Sequence, residues 1–345
     1  MKKLLGHTPD SLKEIAAACG LPAFAGKQIA QWLYQKKVRD IGGMTNLSKA
    51  GREALAAEYE VGITPPSDCR QSSDGTRKYL FPVVCQVGNK EERFNVEAVM
   101  IPEEDRRTLC ISSQAGCRMG CRFCATGHLG FHGNLSAADI LSQIIAVDES
   151  DDLTNIVFMG MGEPLDNYDN VRRVIEVLTA PWGFGWSPKR ITLSTIGVIP
   201  KLERFLAETR CHLAVSLHNP FPDERRDIMP VQKAFDIRDV IDLLHRYDFS
   251  GQRRVSFEYT MFSGLNDDKR HADALVRLLR GLECRVNLIR FHRIPGFEGA
   301  PPSEGVMTVF RDRVAASGIP CTIRASRGED IDAACGMLAG KKQLP

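Results

Sequence analysis

The hydrophobic pattern of the first 62 residues is helical. Apolar positions recur at helical spacing in three short runs, the second of which covers residues 24–37. Gly20 and Pro22 end the first run, and Ser48 is suited to cap the helix of the third. Residues 1–62 are therefore predicted to form a compact helical domain, with Trp32 either in its core or free to stack on a base.

The period changes over residues 63–104, which are predicted to form a short β-rich extension. Two runs, 79–85 and 93–101, have strand character, with glycines at the turns that precede and separate them. Glu97 lies in the second run on the same face as Val99. Either its charge points to solvent from an edge strand, or the carboxylate has a chemical role.

From residue 105 to 340 the pattern alternates between strands and helices. The strand-like runs are 108–113, 154–159, 190–195, 211–217, 254–261, 285–290 and 320–325. The helix-like runs are 136–147, 168–179, 199–208, 237–247, 267–281 and 304–316. Repeated βα units of this length predict an α/β fold, a partial (βα)6-type barrel that is open on one side. In such folds ligands bind where the carboxyl ends of the strands meet the loops.

Polar turns follow several of the predicted strands at that end. Their candidate ligand-binding residues are Gly162, Glu163, Ser194, Ser216, Leu217, His218 and His292. A glycine lets the backbone approach a ligand, and a carboxylate accepts hydrogen bonds from an ammonium group. Because these turns share one end of one sheet, they predict a common pocket.

A triplet of cysteines, Cys117, Cys121 and Cys124, follows the first strand of the barrel. Thiolates select zinc, copper(I) or iron–sulfur clusters. Three thiolates on a cubane leave one iron open to a chelating substrate, since such clusters normally take four. The spacing resembles the signature of radical S-adenosylmethionine (SAM) enzymes. A partial zinc site and unligated thiols are the alternatives.

Charge and targeting signals narrow the class of protein. The net charge is only +2, but residues 1–90 hold 13 basic and 8 acidic residues, against 32 and 35 in the rest. A basic head is compatible with a nucleic-acid partner, although a solvated helical face gives the same count. The sequence shows no signal peptide and no membrane span, and eleven cysteines indicate a reducing compartment, so a cytoplasmic protein is expected.

Two further motifs carry a resemblance to one family. The stretch from Pro22 to Ser48 and the stretch from Asp330 to Gly340, which contains Cys335, resemble the RlmN/Cfr-type radical SAM RNA methyltransferases. The likeness covers nearly the whole chain. It implies an enzyme that methylates carbon 2 of an adenosine in 23S rRNA and in tRNA, with one [4Fe-4S] cluster and two molecules of SAM per turnover.

The resemblance also implies roles for residues that otherwise look structural. Cys335 would take a methyl group from one SAM, and a 5′-deoxyadenosyl radical from the second would turn it into a methylene radical that adds to the adenine. Cys110 would then attack the Cys335 sulfur to form a transient disulfide, while Glu97 removes the ring proton. Without the family, Cys335 looks like a small buried residue and Cys110 like a core strand residue.

The remaining implications concern ligands and partners. Cys117, Cys121 and Cys124 would hold the cluster, and the polar turns would hold SAM. His292 departs from the family, which commonly has asparagine there. A flavodoxin-type protein would supply the electron. The C8-directed branch of the family, a radical SAM activase acting on protein, and a zinc-containing RNA-binding protein are the alternatives that the sequence leaves open.

Overall fold

The fold was analysed on a computed structural model that describes residues 1–88, 90–251 and 253–340. The strands are β1 (Lys2–Lys3), β2 (Tyr59–Glu60), β3 (Asp68–Gln71), β4 (Arg77–Val87), β5 (Lys90–Glu103), β6 (Arg106–Cys110), β7 (Gln114–Gly116), β8 (Phe131–Asn134), β9 (Asn155–Phe158), β10 (Ile191–Thr195), β11 (His212–Ser216), β12 (Val255–Met261), β13 (Arg285–Arg290) and β14 (Cys321–Ile323). The helices are α1 (Pro9–Ala18), α2 (Ala25–Ala30), α3 (Lys49–Glu58), α4 (Ala125–His128), α5 (Ala137–Ile145), α6 (Tyr168–Thr179), α7 (Ile199–Glu208), α8 (Pro222–Ile228), α9 (Ile237–Leu244), α10 (Lys269–Leu278) and α11 (Glu304–Ala315).

The parallel part of the sheet confirms the predicted barrel. Strands β6 and β9 to β14 follow one another in chain order, and each pairs with the next in parallel. Within the described residues β14 pairs only with β13, so the barrel stays open on that side. The seven strands overlap the seven predicted runs, because each run contains buried apolar side chains that pack in the core.

The helices between these strands also match the predicted runs. α5 has a capping box in which Ser136 and Asp139 satisfy each other's backbone amides, and its apolar residues pack on the sheet. Two helices were not predicted from the sequence, α4 and α8. Both are short and polar, so neither gives a sustained apolar period.

The β-rich region is continuous with the barrel. β4 and β5 form an antiparallel hairpin, and β5 pairs with β6, which extends the sheet to ten strands. In this register Val99 lies opposite both Lys78 and Cys110. Because side chains alternate along a strand, Lys78, Glu97 and Cys110 all lie on one face of the sheet.

The amino-terminal helices form the predicted helical module, with two differences. Residues 24–37 form α2 and then a π-helical turn, Gln31–Gln35, and the short β1 pairs in parallel with β2 to close the module. Thr8 caps α1 and Ser48 caps α3. Trp32 packs against the core, donates to Asn46 and lies under the Lys36 ammonium, so its ring is not free for stacking.

No helix among the described residues combines the length and the hydropathy that crossing a bilayer requires.

Candidate active site

A cavity of about 450 Å³ opens at the carboxyl ends of the barrel strands. Ten of the thirteen predicted site residues line it: Cys117, Cys121, Cys124, Gly162, Glu163, Ser194, Ser216, His218, His292 and Cys335. The pocket predicted from the polar turns is therefore one continuous space. Leu217, Cys110 and Glu97 lie outside its lining, and each is buried.

The loop of residues 117–124, which carries the three cysteines and is here called the cysteine loop, leads from β7 to α4. It is fixed by backbone hydrogen bonds. The Cys117 amide donates to the Gly130 carbonyl at 2.7 Å, and the Cys124 amide donates to the Cys121 carbonyl at 3.2 Å. All three thiols are free. Burial raises the pKa of Cys117 to about 12 and raises that of Cys121 further. Without a positive metal centre, burial favours the protonated form of the Cys117 and Cys121 thiols.

The donor set of this loop fits an iron–sulfur cluster. Within the described part of the chain, no three or more histidine, cysteine or carboxylate side chains converge closely enough to hold a single metal ion. A cubane cluster requires no such convergence, because each iron takes its own thiolate. Cys117 and Cys121 also pack against an apolar group formed by Met119, Phe123, Ile196, Ile228, Met229, Phe262 and Phe291. The loop thus presents three thiols in a space sheltered from water.

Glu163 lies at the turn after β9 and is buried. Its Oε1 accepts from the Leu165 amide at 3.0 Å, and its Oε2 accepts from the Ile196 amide at 2.9 Å. Burial raises its pKa to about 7, although these hydrogen bonds act in the opposite direction. The preceding Gly162 has φ +97°, and a Cβ there would lie 2.5 Å from Gln114 Cβ. The tight packing against Gln114 is therefore a sufficient reason for glycine at position 162.

The turn after β11 aims one histidine into the cavity. His218 adopts a left-handed backbone (φ 56°), and its Nδ1 accepts from the Thr260 amide at 2.9 Å. Its Nε2 must therefore carry the proton in the neutral ring. Burial lowers its pKa to about 3, so the imidazole stays neutral and can donate to a ligand. Leu217 packs in the main core, and the Ser216 side chain lines the cavity.

Arg225 of α8 stabilises this turn through hydrogen bonds to its carbonyl groups. Its guanidinium donates to the carbonyls of Leu217 at 3.0 Å and Ser216 at 2.9 Å, and to Gln232 Oε1 at 2.5 Å. The side chain is fully buried, and burial lowers its pKa to about 10. It stays charged at neutral pH and holds the ends of the strands in place.

His292 closes the far side of the cavity. Its Nε2 is 3.1 Å from Ser326 Oγ, and its Nδ1 is 3.4 Å from Glu329 Oε1. Ser194 lines the opposite wall on β10. The ring of His292 is thus held by the segment that leads towards the carboxyl-terminal motif.

Residues 328–340, here called the carrier segment, place Cys335 in the cavity. The Ala125 amide donates to the Gly336 carbonyl at 2.8 Å, and Thr126 Oγ1 donates to the Leu338 carbonyl at 2.7 Å. α4 therefore connects the cysteine loop directly to this segment. Cys335 is exposed, but its exposed surface faces the cavity, and burial raises its pKa. The interpretation of Cys335 as a small buried residue is wrong.

Other contacts fasten the carrier segment to the hairpin. Ser72 Oγ donates to Asp330 Oδ1 at 2.5 Å, and Lys78 Nζ donates to the Asp332 carbonyl at 3.2 Å. The Ala339 amide donates to Glu97 Oε2 at 3.0 Å. The segment is therefore held between the barrel and the hairpin.

Cys110 and Glu97 lie on the same face of the sheet, next to the carrier segment. Burial raises the pKa of Cys110, and the nearby Cys335 thiolate raises it further. Glu97 Oε1 lies 3.4 Å from Lys78 Nζ, and both side chains are buried. The interpretation of Glu97 as a solvent-facing edge charge is wrong, because the carrier segment covers it and Lys78 pairs with it.

The charged residues Arg225 and Glu258 are at the site but were not selected from the sequence. Arg225 belongs to a helix that was not predicted. Glu258 lines the cavity from β12. The signal for Glu258 was present, since it is an acidic residue inside the otherwise apolar strand Val255–Met261.

An open parallel barrel with three thiols after its first strand and a polar cavity at its carboxyl end is typical of a radical SAM enzyme. Residues 111–275 match the family model of the Radical SAM superfamily. Members of that superfamily use a [4Fe-4S] cluster and SAM. Residues 2–61 match the model of the ribosomal RNA large subunit methyltransferase N-terminal domain.

Relatives extend this match over the whole chain. The chain is 60% identical to a Porphyromonas gingivalis protein named probable dual-specificity RNA methyltransferase RlmN, over 98% of this chain and 97% of the relative. It is 40% identical to the dual-specificity RNA methyltransferase RlmN of Solidesulfovibrio magneticus, over 98% and 96%. A crystal structure of a radical SAM methyltransferase from Sphaerobacter thermophilus superposes with a TM-score of 0.90 at 38% identity, covering 99% of this chain and all of that one. The chain belongs to the RlmN family of radical SAM enzymes.

Proposed function

We propose that this enzyme methylates carbon 2 of an adenosine in 23S rRNA and in tRNA, through a methyl group carried on Cys335. The observation that supports this proposal is the position of Cys335, in the same cavity as the cysteine triplet. A radical SAM activase that acts on protein needs the triplet but has no need of a second reactive thiol. The names of the relatives favour the C2-directed branch over the C8-directed one.

The cofactors have candidate residues in the cavity. Cys117, Cys121 and Cys124 would hold the [4Fe-4S] cluster, and Glu163 and His218 are the central candidates for SAM. The bound cluster supplies the electron that cleaves SAM. The apolar group around the cysteine loop excludes water from this chemistry, and the neutral His218 offers its Nε2 proton to a carboxylate or a ribose oxygen.

A thiol carrier is needed for a chemical reason. Carbon 2 of adenine is electrophilic, so it cannot displace a methyl group from SAM as a nucleophile. Cys335 can do so once it is deprotonated, because a thiolate is a strong nucleophile. Its position on a loop that faces the cavity allows the same sulfur to meet SAM and then the adenine.

We assign the release of the product to Cys110 and Glu97. We infer that the Cys110 thiolate attacks the Cys335 sulfur to form a disulfide, while the bond from that sulfur to the carbon attached to the adenine breaks and its electron pair stays on that carbon. The carbon then takes up a proton and becomes the methyl group, and Glu97 accepts the adenine ring proton. The charge interaction between Cys110 and Cys335 supports the first role, because it requires the two thiols to be near each other. Glu97 lies on the same face of the sheet as Cys110, which supports the second.

The remaining parts of the proposal concern organisation and partners. Residues 1–62 would contact the RNA backbone through their excess of basic side chains, residues 63–104 would carry Glu97, and residues 105–340 would hold the cofactors and the carrier segment. Contacts of basic residues with phosphates make such binding sensitive to salt. A flavodoxin-type electron donor and a cytoplasmic location complete the proposal.

The test is a product analysis. The protein is reconstituted without oxygen and incubated with SAM, a reductant and ribosomal RNA that was transcribed in vitro and carries no prior modification. Mass spectrometry of the nucleosides should find 2-methyladenosine. The Cys335→Ala variant should form none, and Cys284→Ala, which changes a cysteine outside the cavity, should match the wild type.

The other outcomes discriminate among the alternatives. A peak of 8-methyladenosine would move the enzyme to the C8-directed branch and keep the carrier mechanism. No methylated adenosine from protein that has a full complement of iron, on either rRNA or tRNA, would contradict the proposal.

A further inference from the structure

Glu258 is a buried carboxylate in the cavity wall that the proposed mechanism does not use. It lies on β12 and is 6% exposed. Its Oε1 accepts from Ser256 Oγ at 2.9 Å and from Asn287 Nδ2 at 2.8 Å. No donor among the described residues bonds its Oε2. One oxygen of Glu258 therefore remains available to a partner inside the cavity.

The other acceptors around the cavity are engaged. Both oxygens of Glu163 accept backbone amides, from Leu165 and from Ile196. His218 has used its Nδ1 lone pair on the Thr260 amide, so the ring presents a donor to the cavity. Glu163 and His218 are also the central candidates for contacts with SAM, so neither is assigned to Cys335.

The two other carboxylates near the site are also unsuited. Glu97 lies outside the cavity lining, pairs with Lys78 and accepts from Ala339. Glu103 lies at the exposed rim, 4.0 Å from Arg106. Among the described carboxylates that line the cavity, Glu258 is the one that is both buried and left with an unused oxygen.

Cys335 needs a partner of this kind. A thiol attacks as its thiolate, and burial raises the pKa of Cys335. The charged or ionisable groups that act on it are Glu258, which raises its pKa, Arg324, which lowers it, and the thiols of Cys124 and Cys110. A thiol whose pKa is raised reacts quickly only if a base accepts its proton as the new bond forms.

We propose that Glu258 is the general base that takes the thiol proton of Cys335 when Cys335 acquires its methyl group. This inference rests on the proposed role of Cys335 as the methyl carrier. The Sγ–H proton moves to Glu258 Oε2, and the Sγ electron pair forms a bond to the methyl carbon of SAM. The bond from that carbon to the sulfonium sulfur breaks, its electrons stay on the departing S-adenosylhomocysteine, and the Glu258 carboxyl is neutral.

The surroundings of Glu258 fit this role. Burial raises its pKa, which makes it a stronger base than an exposed carboxylate, and the Ser256 and Asn287 hydrogen bonds fix its orientation. Arg324 lowers the pKa of Cys335, which makes the thiol proton easier to remove.

The test isolates the loading of Cys335 from RNA chemistry. Reconstituted holoenzyme with free Cys335 is incubated with SAM that carries a deuterated methyl group, without reductant or RNA. The labelled methyl on the peptide that contains Cys335 is followed by mass spectrometry. Glu258→Gln keeps the shape and the Oε1 acceptor but removes the base, and we expect its loading rate to fall about 100-fold at pH 7. Glu103→Gln is the matched control and should load at the wild-type rate.

Three further measurements separate this role from a structural one. The residual loading of Glu258→Gln should rise with pH, as solvent replaces the missing base. Its dissociation constant for SAM should stay within about threefold of the wild type. After loading at high pH, a single turnover on RNA should proceed at the wild-type rate, since the base acts only in loading. A weakened affinity for SAM or a slow second stage would overturn the proposal.

The outcomes also distinguish this inference from the proposed function. Wild-type protein that never acquires the label at Cys335 contradicts the carrier role itself. Wild-type protein that loads, together with Glu258→Gln that loads equally fast, contradicts only the base. If Glu258→Gln does not fold, the loading rate of Glu258→Asp tests the proposal instead. Its carboxylate is set back by one methylene, so loading should slow by about tenfold or more with the wild-type pH dependence, and an unchanged rate overturns the proposal.

Discussion

The backbone amide of Ala339 donates a hydrogen bond of 3.0 Å to Oε2 of Glu97. The other oxygen of Glu97 lies 3.4 Å from Lys78 Nζ. The carboxylate that we propose as the acceptor of the adenine proton is thus engaged on both sides while the carrier segment is seated. Movement of Ala339 would free one oxygen, so the position of the carrier segment and the availability of the base are linked.

The Lys78–Glu97 pair is expected to be important for stability. Lys78→Met leaves a buried carboxylate without its cation, which should lower the free energy of unfolding by about 3–5 kcal/mol in urea denaturation. Adding Glu97→Gln should recover much of this loss, because no buried charge then remains. Lys49→Met, which breaks an exposed pair with Glu53, should change the free energy of unfolding by less than about 0.5 kcal/mol. Equal effects of the two lysine variants would contradict the buried pair.

Cys110→Ala should trap RNA on the protein. Without its thiol, the bond between Cys335 and the adenine has no nucleophile to resolve it. After one turnover with uniformly labelled RNA, a denaturing gel should show a protein–RNA adduct that ribonuclease shortens but does not abolish. Cys211→Ala, which changes another fully buried cysteine, should give no adduct. A Cys110→Ala enzyme that releases methylated RNA normally would exclude the proposed attack.

The three cysteines of the loop should each be required for iron. Cys121→Ala, purified without oxygen, is expected to lose the brown colour and most of the protein-bound iron, because a cubane held by two thiolates is readily lost. Cys19→Ala, in the helical module, should retain both. Iron content by colorimetric assay and the visible absorption spectrum make the comparison. Full iron in Cys121→Ala would remove that residue from the ligand set.

Gly162→Ala should destabilise the turn after β9. The new Cβ would lie 2.5 Å from Gln114 Cβ on a backbone with φ +97°. Gly185→Ala shares the positive φ (+66°) but has no atom within 4 Å of the new Cβ. We expect Gly162→Ala to cost about 1–3 kcal/mol more in free energy of unfolding than Gly185→Ala, the cost of overpacking. Similar losses would show that the turn can relax away from Gln114.

His292→Ala should weaken the binding of SAM. The ring lines the cavity and is held by Ser326 and Glu329, so its removal leaves a gap in the wall. The dissociation constant from equilibrium dialysis is expected to rise about tenfold, the loss of one good hydrogen bond. Arg293→Ala, which changes the exposed neighbouring residue, is the control. If SAM binds equally well to both variants, His292 does not contact it.

The barrel could be predicted from the sequence because strand-like runs that contain buried apolar residues alternate with amphipathic helices. Seven runs from 108 to 325 gave the seven parallel strands, and the polar turns between them gave the pocket. The spacing of apolar residues follows directly from which side chains are buried. It can therefore be read from the sequence without knowledge of long-range contacts.

Features that depend on tertiary contacts could not be predicted in this way. Glu97 looked like a solvent-facing charge because its partners, Lys78 and Ala339, are defined only by strand register and by a segment 242 residues away. Arg225 lies in a short polar helix whose role is to hold carbonyls at the ends of strands. The need for glycine at position 162 is explained by Gln114, which only the fold places beside it.

The way the carrier segment is fastened has a consequence for RNA affinity. Its buried apolar side chains are few, Ala333, Ala334 and Leu338, so most of its attachment comes from hydrogen bonds. A segment of this kind can open while the barrel stays folded. An RNA that binds only the open form has its apparent affinity reduced by the fraction of molecules that are open, and every 1.4 kcal/mol of opening cost, roughly, lowers that fraction tenfold. Tighter fastening of Cys335 and tighter binding of RNA therefore compete.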